Sequence, residues 1–283
     1  MFQVLSPCKL NLFLYVTAKR ADGFHDLQSL FCILDHGDTM RFDVKDDGKG
    51  EFKLLNDMGF AVEDNLIYKA WKKLTTISGK NFSATVDVDK RLPMGGGLGG
   101  GSSNAATTLL VLNHLANLGF DNDKLCDIGA QLGSDVPFFV AGHSAFVEGR
   151  GEVLNAVTVP EKYYLVITPR CHISTKEIFT NEELKQHYSP VRSFDELMAT
   201  EFGNDLIPIV RKNYCEIGHT LDRLVKYGVA AMSGTGASCF VSFDSEQQAQ
   251  EALSDFKADF EYDAFIARSV NVSHVITALA SAK

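Results

Sequence analysis

The fold is decided by the glycine-rich stretch Pro93-Met94-Gly95-Gly96-Gly97-Leu98-Gly99-Gly100-Gly101-Ser102-Ser103, which lies between a predicted strand and a predicted helix. Glycine lets the backbone adopt positive φ and approach a ligand without a Cβ clash. Free amide N–H groups followed by a helix N-terminus form a binding site for a phosphate chain. The stretch therefore predicts phosphate binding, with hydroxyls on Ser102 and Ser103 for a helix cap, a phosphate oxygen or a metal ion.

The elements around this stretch alternate in type and indicate an α+β order with two mixed halves. Before it, alternating apolar residues predict strands, and a 3.6-residue period predicts one helix. After it, an alanine- and leucine-rich helix ends at Gly119. The predicted strands are 7–16, 39–45, 51–55, 83–89, 163–168, one near Ala230, 238–243 and 264–270, the helices are 65–74, 103–118, 123–132, 195–199, 205–226 and 246–256, and 138–147 is read as a hairpin turning at Gly142-His143.

Composition and charge limit the classes of function. The 283 residues include 36 acidic and 27 basic side chains, for a net charge of −9, so a broad basic surface for nucleic acid or an anionic membrane is not expected. The six cysteines have no zinc-binding spacing, and no apolar run approaches the ~18 residues of a membrane span. These features predict a cytoplasmic enzyme with reduced cysteines, which binds neither nucleic acid nor a membrane.

Three other interpretations of the glycine stretch can be weighed from the residues alone. The Walker pattern fails because no Gly-Lys-Ser/Thr ends the loop. Gly95-x-Gly97-x-x-Gly100 matches a dinucleotide fingerprint, and Asp121 lies near the spacing of its ribose-binding acid, but Asp121 belongs to a turn that opens the next helix rather than to the end of a second strand. A passive turn would not require so many glycines, whose ordering costs conformational entropy.

Three motifs together resemble a known superfamily. Pro93-x-x-x-Gly97-Leu98-Gly99 followed by serines resembles the phosphate loop of the galactokinase, homoserine kinase, mevalonate kinase and phosphomevalonate kinase (GHMP) superfamily. Residues 6–11 resemble its first motif, and Ser233-Gly234-Thr235-Gly236-Ala237 resembles its third.

The resemblance implies a two-domain fold. It consists of an N-terminal α/β domain with ribosomal-protein-S5-like topology and a C-terminal ferredoxin-like α+β domain, with the active site in the cleft between them. The glycine-rich turn at residues 148–151 is the candidate boundary, which gives an ATP-binding domain over 1–152 and a second domain over 153–283.

Four segments resemble one branch of this superfamily, whose members phosphorylate the 2-hydroxyl of a cytidine-diphosphate-linked methylerythritol in non-mevalonate isoprenoid synthesis. They are residues 9–12, 20–25, 92–106 and 133–137. The resemblance implies transfer of the γ-phosphate of ATP, with Asp135 as general base and Lys9 as its cationic neighbour. A carboxylate within reach of an acceptor hydroxyl is suited to that role. On its own, Lys9 would be interpreted as a surface lysine at the end of a strand. Asp135 on its own would be interpreted as a helix N-cap or turn residue before Pro137.

The resemblance also assigns residues to the acceptor. Phe24 would stack on the cytosine and His25 would bond to its edge, with Asn11 nearby and Phe179 on the other face. Relatives usually carry tyrosine where this chain has Phe24, so the ring is kept and the hydroxyl is lost. Gly234, Thr235 and Gly236 would form a second amide-rich turn near the transferred phosphate; a hairpin connection explains their glycines equally well.

For the nucleotide, the resemblance implies that Asn65, Leu66, Ile67 and Lys90 lie near the adenine and that residues 95–103 bind the phosphates. As a helix-start residue Asn65 has an ordinary capping role as well. Mg²⁺ is expected to bridge the β- and γ-phosphates, either with Ser103 or Asp135 as a protein ligand or with attachment to the protein through water alone. The predicted partners are ATP and a small-molecule acceptor, without a protein partner.

Two alternative functions remain open from sequence. One is another kinase of the superfamily, acting on homoserine or mevalonate. A homoserine kinase would need no dedicated carboxylate base, and mevalonate kinases lack a segment like Asp22-Gly23-Phe24-His25. The other is a nucleotide-binding module that has lost catalysis, which the presence of both Lys9 and Asp135 disfavours.

Overall fold

The fold is α+β, as predicted, in a computed structural model that describes residues 1–186, 188–257 and 262–282. The described strands are β1 Phe2–Lys19, β2 His25–Lys45, β3 Phe52–Leu54, β4 Ser83–Asp89, β5 Ala145–Glu148, β6 Val153–Ala156, β7 Tyr163–Thr168, β8 Ala231–Met232, β9 Cys239–Phe243 and β10 Asp263–Val270. The described α-helices are α1 Leu66–Ser78, α2 Gly100–Leu115, α3 Asn122–Ala130, α4 Val136–Ala141, α5 Thr175–Thr180, α6 Phe194–Met198, α7 Ile207–Asn213, α8 Cys215–Leu224, α9 Glu246–Lys257 and α10 His274–Ser281.

A long antiparallel hairpin of β1 and β2 runs through the molecule. Its register pairs Lys9 with Ile33 and, at the hairpin end, Lys19 with His25, with bulges between. Most of β1 is buried on both of its faces, which is why its sequence combines an apolar face with side chains such as Phe13 and Tyr15 on the other. The hairpin therefore carries two groups of predicted site residues at different points along its length.

The strands join in the order β3-β4-β2-β10-β7-β9-β8, with β1 and β5 also paired to β2 and β6 paired to β5. Three apolar clusters cover this arrangement. One lies under α1, α2, α3, α4 and α10, a second under α7, α8 and α9, and a third between β1, β2 and the strands of the second half. Because residues of β1 enter all three clusters, this strand ties the two halves together.

The glycine stretch connects β4 to α2. Buried side chains alternate along β4, and α2 begins at Gly100, three residues before the predicted start, with Gly99 at its N-cap in the left-handed region (φ 73°). Small residues fill the middle of α2, where Ala105 and Ala106 are fully buried. The helix can therefore pack closely on the sheet and hold its N-terminus at the loop.

The predicted hairpin over residues 138–147 is wrong. Val136 to Val140 are buried in the helix α4, which has Pro137 in its first turn and ends at Gly142 with φ 70°. Proline favours the first turn of a helix, and a short apolar run that is buried on all sides has no periodicity to distinguish helix from strand. Of the predicted hairpin, only the last residues form a strand, β5.

The single helix predicted over 205–226 is also wrong, because the chain is extended at Tyr214 (φ −134°, ψ 90°) and divides into α7 and α8. Each half buries its own apolar stripe against the second cluster, so tertiary packing overrides the continuous helical pattern. Helices α5 and α10 were not predicted.

The proposed domain boundary lies at a turn inside the β5–β6 hairpin, and the division at 152/153 stays a prediction. Helix α10, near the end of the chain, packs on the first cluster, beside residues of the first half. In the described part of the chain all six cysteines are free, and no helix is long and apolar enough to cross a membrane. The cytoplasmic location stays a prediction.

Candidate active site

The glycine stretch packs directly on the second glycine turn. Gly97 has φ 75°, and a Cβ on it would lie 2.3 Å from the carbonyl oxygen of Ser233. The Ser233 hydroxyl donates to the Gly97 carbonyl at 2.9 Å, and the Ser238 amide donates to the Gly96 carbonyl at 3.1 Å. Only glycine fits at position 97, and the two loops that the sequence placed in separate motifs form one backbone platform.

A fully buried carboxylate holds the segment that leads into this platform. Asp38, which is 0% exposed, accepts from the amides of Arg91 at 2.9 Å and Leu92 at 3.0 Å through Oδ1. Its Oδ2 accepts from Lys90 Nζ at 2.6 Å and from Asn104 Nδ2 at 2.8 Å. Four donors on one carboxylate compensate its burial and join β2, the loop and α2. Sequence reasoning missed Asp38, because its partners meet it only in the fold.

A cleft of about 370 Å³ lies along the glycine stretch. It brings together the residues predicted for the nucleotide, with one exception, and it also includes residues that the sequence did not indicate. The predicted lining residues are Asn65, Leu66, Ile67, Lys90, Pro93, Met94, Gly95, Gly96, Gly97, Leu98, Gly99, Gly100, Gly101 and Ser102, and the additional ones are Met58, Phe60, Asp64 and Asn104. The exception is Ser103, whose buried hydroxyl bonds to Ser6 at 2.8 Å beneath the loop.

Two features give the cleft the chemistry of a nucleotide site. The platform offers glycine backbone and the start of α2, which attract phosphate. Among the other lining residues, Met58, Leu66 and the half-exposed ring of Phe60 supply apolar surface of the kind that covers a base. Phe60 could have been suspected from Met58-Gly59-Phe60, a turn with an exposed aromatic.

Lys9 and Asp135 form an ion pair beside the platform. Lys9 Nζ lies 3.6 Å from Asp135 Oδ2 and 4.4 Å from the centre of the Phe31 ring, and it donates to Asn11 Oδ1. The Lys9 amide donates to the Leu98 carbonyl at 3.0 Å, which fixes the lysine next to the glycine stretch. Burial lowers the pKa of Lys9 below its ordinary value, and the Asp135 carboxylate opposes this shift.

The Asp135 carboxylate remains accessible. It precedes α4 at the N-cap position but makes no side-chain cap hydrogen bond, and its side chain is 28% exposed. Gly133, two residues earlier, lies near Ser102, whose Oγ is 3.6 Å from the position of a Cβ on that glycine. The carboxylate is therefore accessible from solvent, in a segment that lies close to Ser102 at the start of α2.

Asn11 links the ion pair to the second glycine turn. Its amide N–H donates to the Ser233 hydroxyl at 3.1 Å, its Nδ2 donates to Ser29 Oγ at 3.0 Å, and its Oδ1 lies 3.3 Å from the position of a Cβ on Gly234. In the same turn Thr235 shares a hydrogen bond with Thr175 at 3.1 Å. Asn11, whose side chain accepts from Lys9, therefore also contacts the second glycine turn at Ser233 and Gly234.

His25 and Phe179, both predicted to contact the acceptor, lie together at the far end of the β1–β2 hairpin. Their ring centres lie 5.5 Å apart, and the ring of Tyr188, which the sequence did not indicate, lies 6.1 Å from His25. The Tyr188 hydroxyl is buried without a hydrogen-bond partner in the described residues. Burial and the nearby charge of Lys19 lower the pKa of His25, so the imidazole is neutral at pH 7 and offers one donor and one acceptor.

Phe24 has a neighbour in the chain that the sequence did not indicate, and its stacking on cytosine stays a prediction. Its ring is 58% exposed, and the guanidinium of Arg150 lies 5.1 Å from its centre. Arg150 belongs to the turn whose Gly149 carbonyl accepts from the Leu27 amide, so both side chains are held at the same edge of β2. One face of the ring is in cation–π contact and the exposed remainder can receive a planar ligand.

Comparison with known proteins identifies the two halves. Residues 65–143 match the GHMP kinases N terminal domain and residues 182–261 match the GHMP kinases C terminal domain, which together make up more than half of the chain. A crystal structure of 4-(cytidine 5'-diphospho)-2C-methyl-D-erythritol kinase is 26% identical, with a TM-score of 0.83 over 95% of this chain and 99% of that one.

Two further solved structures share the fold at lower identity. Homoserine kinase from Cytophaga hutchinsonii is 14% identical with a TM-score of 0.66, over 97% of this chain and 96% of that chain. The Methanococcus jannaschii mevalonate kinase is also 14% identical, with a TM-score of 0.66 over 95% of this chain and 98% of that chain. These two likenesses concern the fold alone.

Proposed function

Because this chain belongs to the GHMP kinases, which use ATP, we propose that it transfers the γ-phosphate of ATP to the 2-hydroxyl of 4-(cytidine 5'-diphospho)-2-C-methyl-D-erythritol, in non-mevalonate isoprenoid synthesis. The observation that carries the proposal is the Lys9–Asp135 pair at 3.6 Å beside the glycine platform. The choice of acceptor is supported by the full-length similarity to a kinase of that name and by the rings of Phe24, His25 and Phe179.

In the proposed mechanism, Asp135 takes the proton of the acceptor hydroxyl while the oxygen of that hydroxyl bonds to the γ-phosphorus of ATP. The bond between the γ-phosphorus and the β–γ bridging oxygen breaks, and ADP leaves with that oxygen. Lys9 forms an ion pair with that carboxylate and stabilises negative charge on the phosphoryl oxygens. Asn11 and Phe31 hold the lysine in place, since its ammonium contacts both. Backbone amides of the platform orient the phosphate chain, and the neutral imidazole of His25 reads the edge of the pyrimidine while the aromatic rings cover its faces.

The donor set suits a Mg²⁺ ion that is bound mainly by nucleotide oxygens. Asp135 supplies one accessible carboxylate and Ser102 a hydroxyl at the cleft, whereas Ser103 is turned toward Ser6. Among the described residues, no group of three or more His, Cys, Asp and Glu side chains could hold a metal. Mg²⁺ characteristically takes one or two carboxylates together with substrate phosphates, and when bound it would neutralise charge on the phosphates.

A panel of acceptors with labelled ATP tests this function. The purified protein is incubated with the cytidine-diphosphate compound, homoserine or mevalonate, and each product is identified by mass spectrometry. We expect phosphorylation of the cytidine compound with a kcat/KM at least about 100-fold above that for the other two, as a site built around a specific group discriminates strongly. Preference for homoserine or mevalonate would overturn the choice of acceptor. ATP binding without transfer to any acceptor would favour an inactive module.

A further inference from the structure

One buried acceptor in the nucleotide cleft lacks a donor. The side-chain oxygen Oδ1 of Asn104 has no hydrogen-bond partner in the described residues, although Asn104 is only 5% exposed and lines the cleft. An unpaired buried acceptor has lost its hydrogen bonds to water without replacing them, so native proteins rarely keep one without a use. A ligand that brings a donor into the cleft would supply the missing hydrogen bond.

The orientation of the Asn104 amide is fixed by its other end. Its Nδ2 donates at 2.8 Å to Asp38 Oδ2, which also accepts from Lys90 Nζ. An ionised carboxylate only accepts hydrogen bonds, so the amide cannot flip without opposing two acceptors. Asp38 thereby forces Asn104 to present an acceptor, rather than a donor, on its remaining side.

Asn65 lines the same cleft with the opposite polarity. Its Oδ1 accepts from the Ile67 amide at 2.9 Å as the N-cap of α1, which leaves the Nδ2 group as the part of the side chain that can still bond to a ligand. Asn65 and Asn104 therefore offer one donor and one acceptor. Adenine carries a 6-amino donor flanked by ring-nitrogen acceptors, whereas guanine has the acceptor O6 in place of the amino group.

We propose that Asn104, oriented by Asp38, is a specificity-determining residue that accepts a hydrogen bond from the 6-amino group of adenine and thereby selects ATP over GTP. The inference rests on the proposed use of ATP, and it adds the group that reads the base. Guanine would set its O6 against Asn104 Oδ1 and leave two buried acceptors without a donor. When a ligand leaves a buried polar group of its site without a hydrogen bond, the site binds that ligand much more weakly.

The test is a cycle of two variants and two nucleotides, measured by calorimetry. The dissociation constants of ADP and of purine riboside 5'-diphosphate, which lacks the 6-amino group, are determined for the unmodified protein, for Asn104→Ala and for Asn113→Ala. Asn113 is an asparagine of the same helix whose side chain bonds to Phe120 rather than to the cleft, so it serves as the matched control.

We expect loss of the amino group to weaken binding by about tenfold or more in the unmodified protein and in Asn113→Ala, and by less than about threefold in Asn104→Ala. An equal loss in all three proteins would overturn the inference, since the amino group would then be read elsewhere. If Asn104→Ala does not fold, the dissociation constants of the unmodified protein still test the inference. Equal affinity for ADP, GDP and the purine riboside diphosphate would contradict it. Because binding alone is measured, this outcome is independent of which acceptor is phosphorylated.

Discussion

The proposed nucleotide half and the proposed acceptor half of the site are built in different ways. The nucleotide half is made largely of backbone, with Gly97 packed on Ser233 and the preceding segment tied to the fully buried Asp38. The acceptor half consists of side chains from separate segments, and one of them, Phe24, is 58% exposed. Close backbone packing therefore holds the platform in place, whereas the proposed acceptor pocket depends on individual side chains.

The largest effect on stability is expected from removal of the buried carboxylate in the nucleotide half. Asp38→Ala leaves two loop amides, Asn104 Nδ2 and Lys90 without their acceptor, and should lower the free energy of unfolding by about 3 kcal/mol or more. Urea denaturation measures this change. The control is Asp244→Ala, whose exposed ion pair with Lys162 should contribute less than about 1 kcal/mol. Equal losses would show that the buried network does not anchor the loop.

A smaller loss is expected from crowding the platform. Gly97→Ala places a Cβ against the Ser233 carbonyl and should cost about 1–3 kcal/mol more than Gly48→Ala. Gly48 has a similar positive φ of 69° but no neighbour within 4 Å of an added Cβ, so this control carries only the left-handed backbone cost. Thermal unfolding and the KM for ATP are measured together. Indistinguishable variants would contradict the close packing of the two glycine loops.

The smallest effects, about tenfold in KM, are expected in the acceptor half and should be confined to one substrate. Phe24→Ala and His25→Ala should raise the KM for the cytidine compound by about that factor through lost stacking and hydrogen bonding, with the KM for ATP nearly unchanged. Phe60→Ala, which removes a ring from the nucleotide cleft, should show the reverse pattern. If Phe24→Ala or His25→Ala impairs ATP equally, the pyrimidine assignment is wrong.

The difference between the two halves also explains what the sequence could predict. The strand, loop and helix around the glycine stretch follow from local rules, namely alternation in β4, glycine in the loop and alanine in α2. Asp38 could not be found in this way, because its role depends on partners in β2, the loop and α2 that only the fold brings together. Helix α4 was read as part of a hairpin because Val136 to Val140 are buried all round and show no period.

In the acceptor half, sequence reasoning named individual residues but not all of their neighbours. His25 and Phe179, which the sequence named separately, lie in contact, and the contacts of Arg150 with Phe24 and of Tyr188 with His25 were not foreseen. These pairs join side chains from distant segments, and no spacing in the chain indicates them. The predicted nucleotide residues meet in one cleft except Ser103, since a helix places successive serines on different faces.

The proposed chemistry depends most on Asp135, and its replacement by asparagine is the most direct test. The variant Asp135→Asn keeps the size of the side chain and removes the base, so kcat for the cytidine compound should fall about 100-fold or more, while the affinity for ATP stays within about threefold. Asp121→Asn, an exposed helix-cap residue away from the cleft, is the matched control and should leave kcat unchanged. A near-normal kcat in Asp135→Asn would contradict the assignment of Asp135 as the general base.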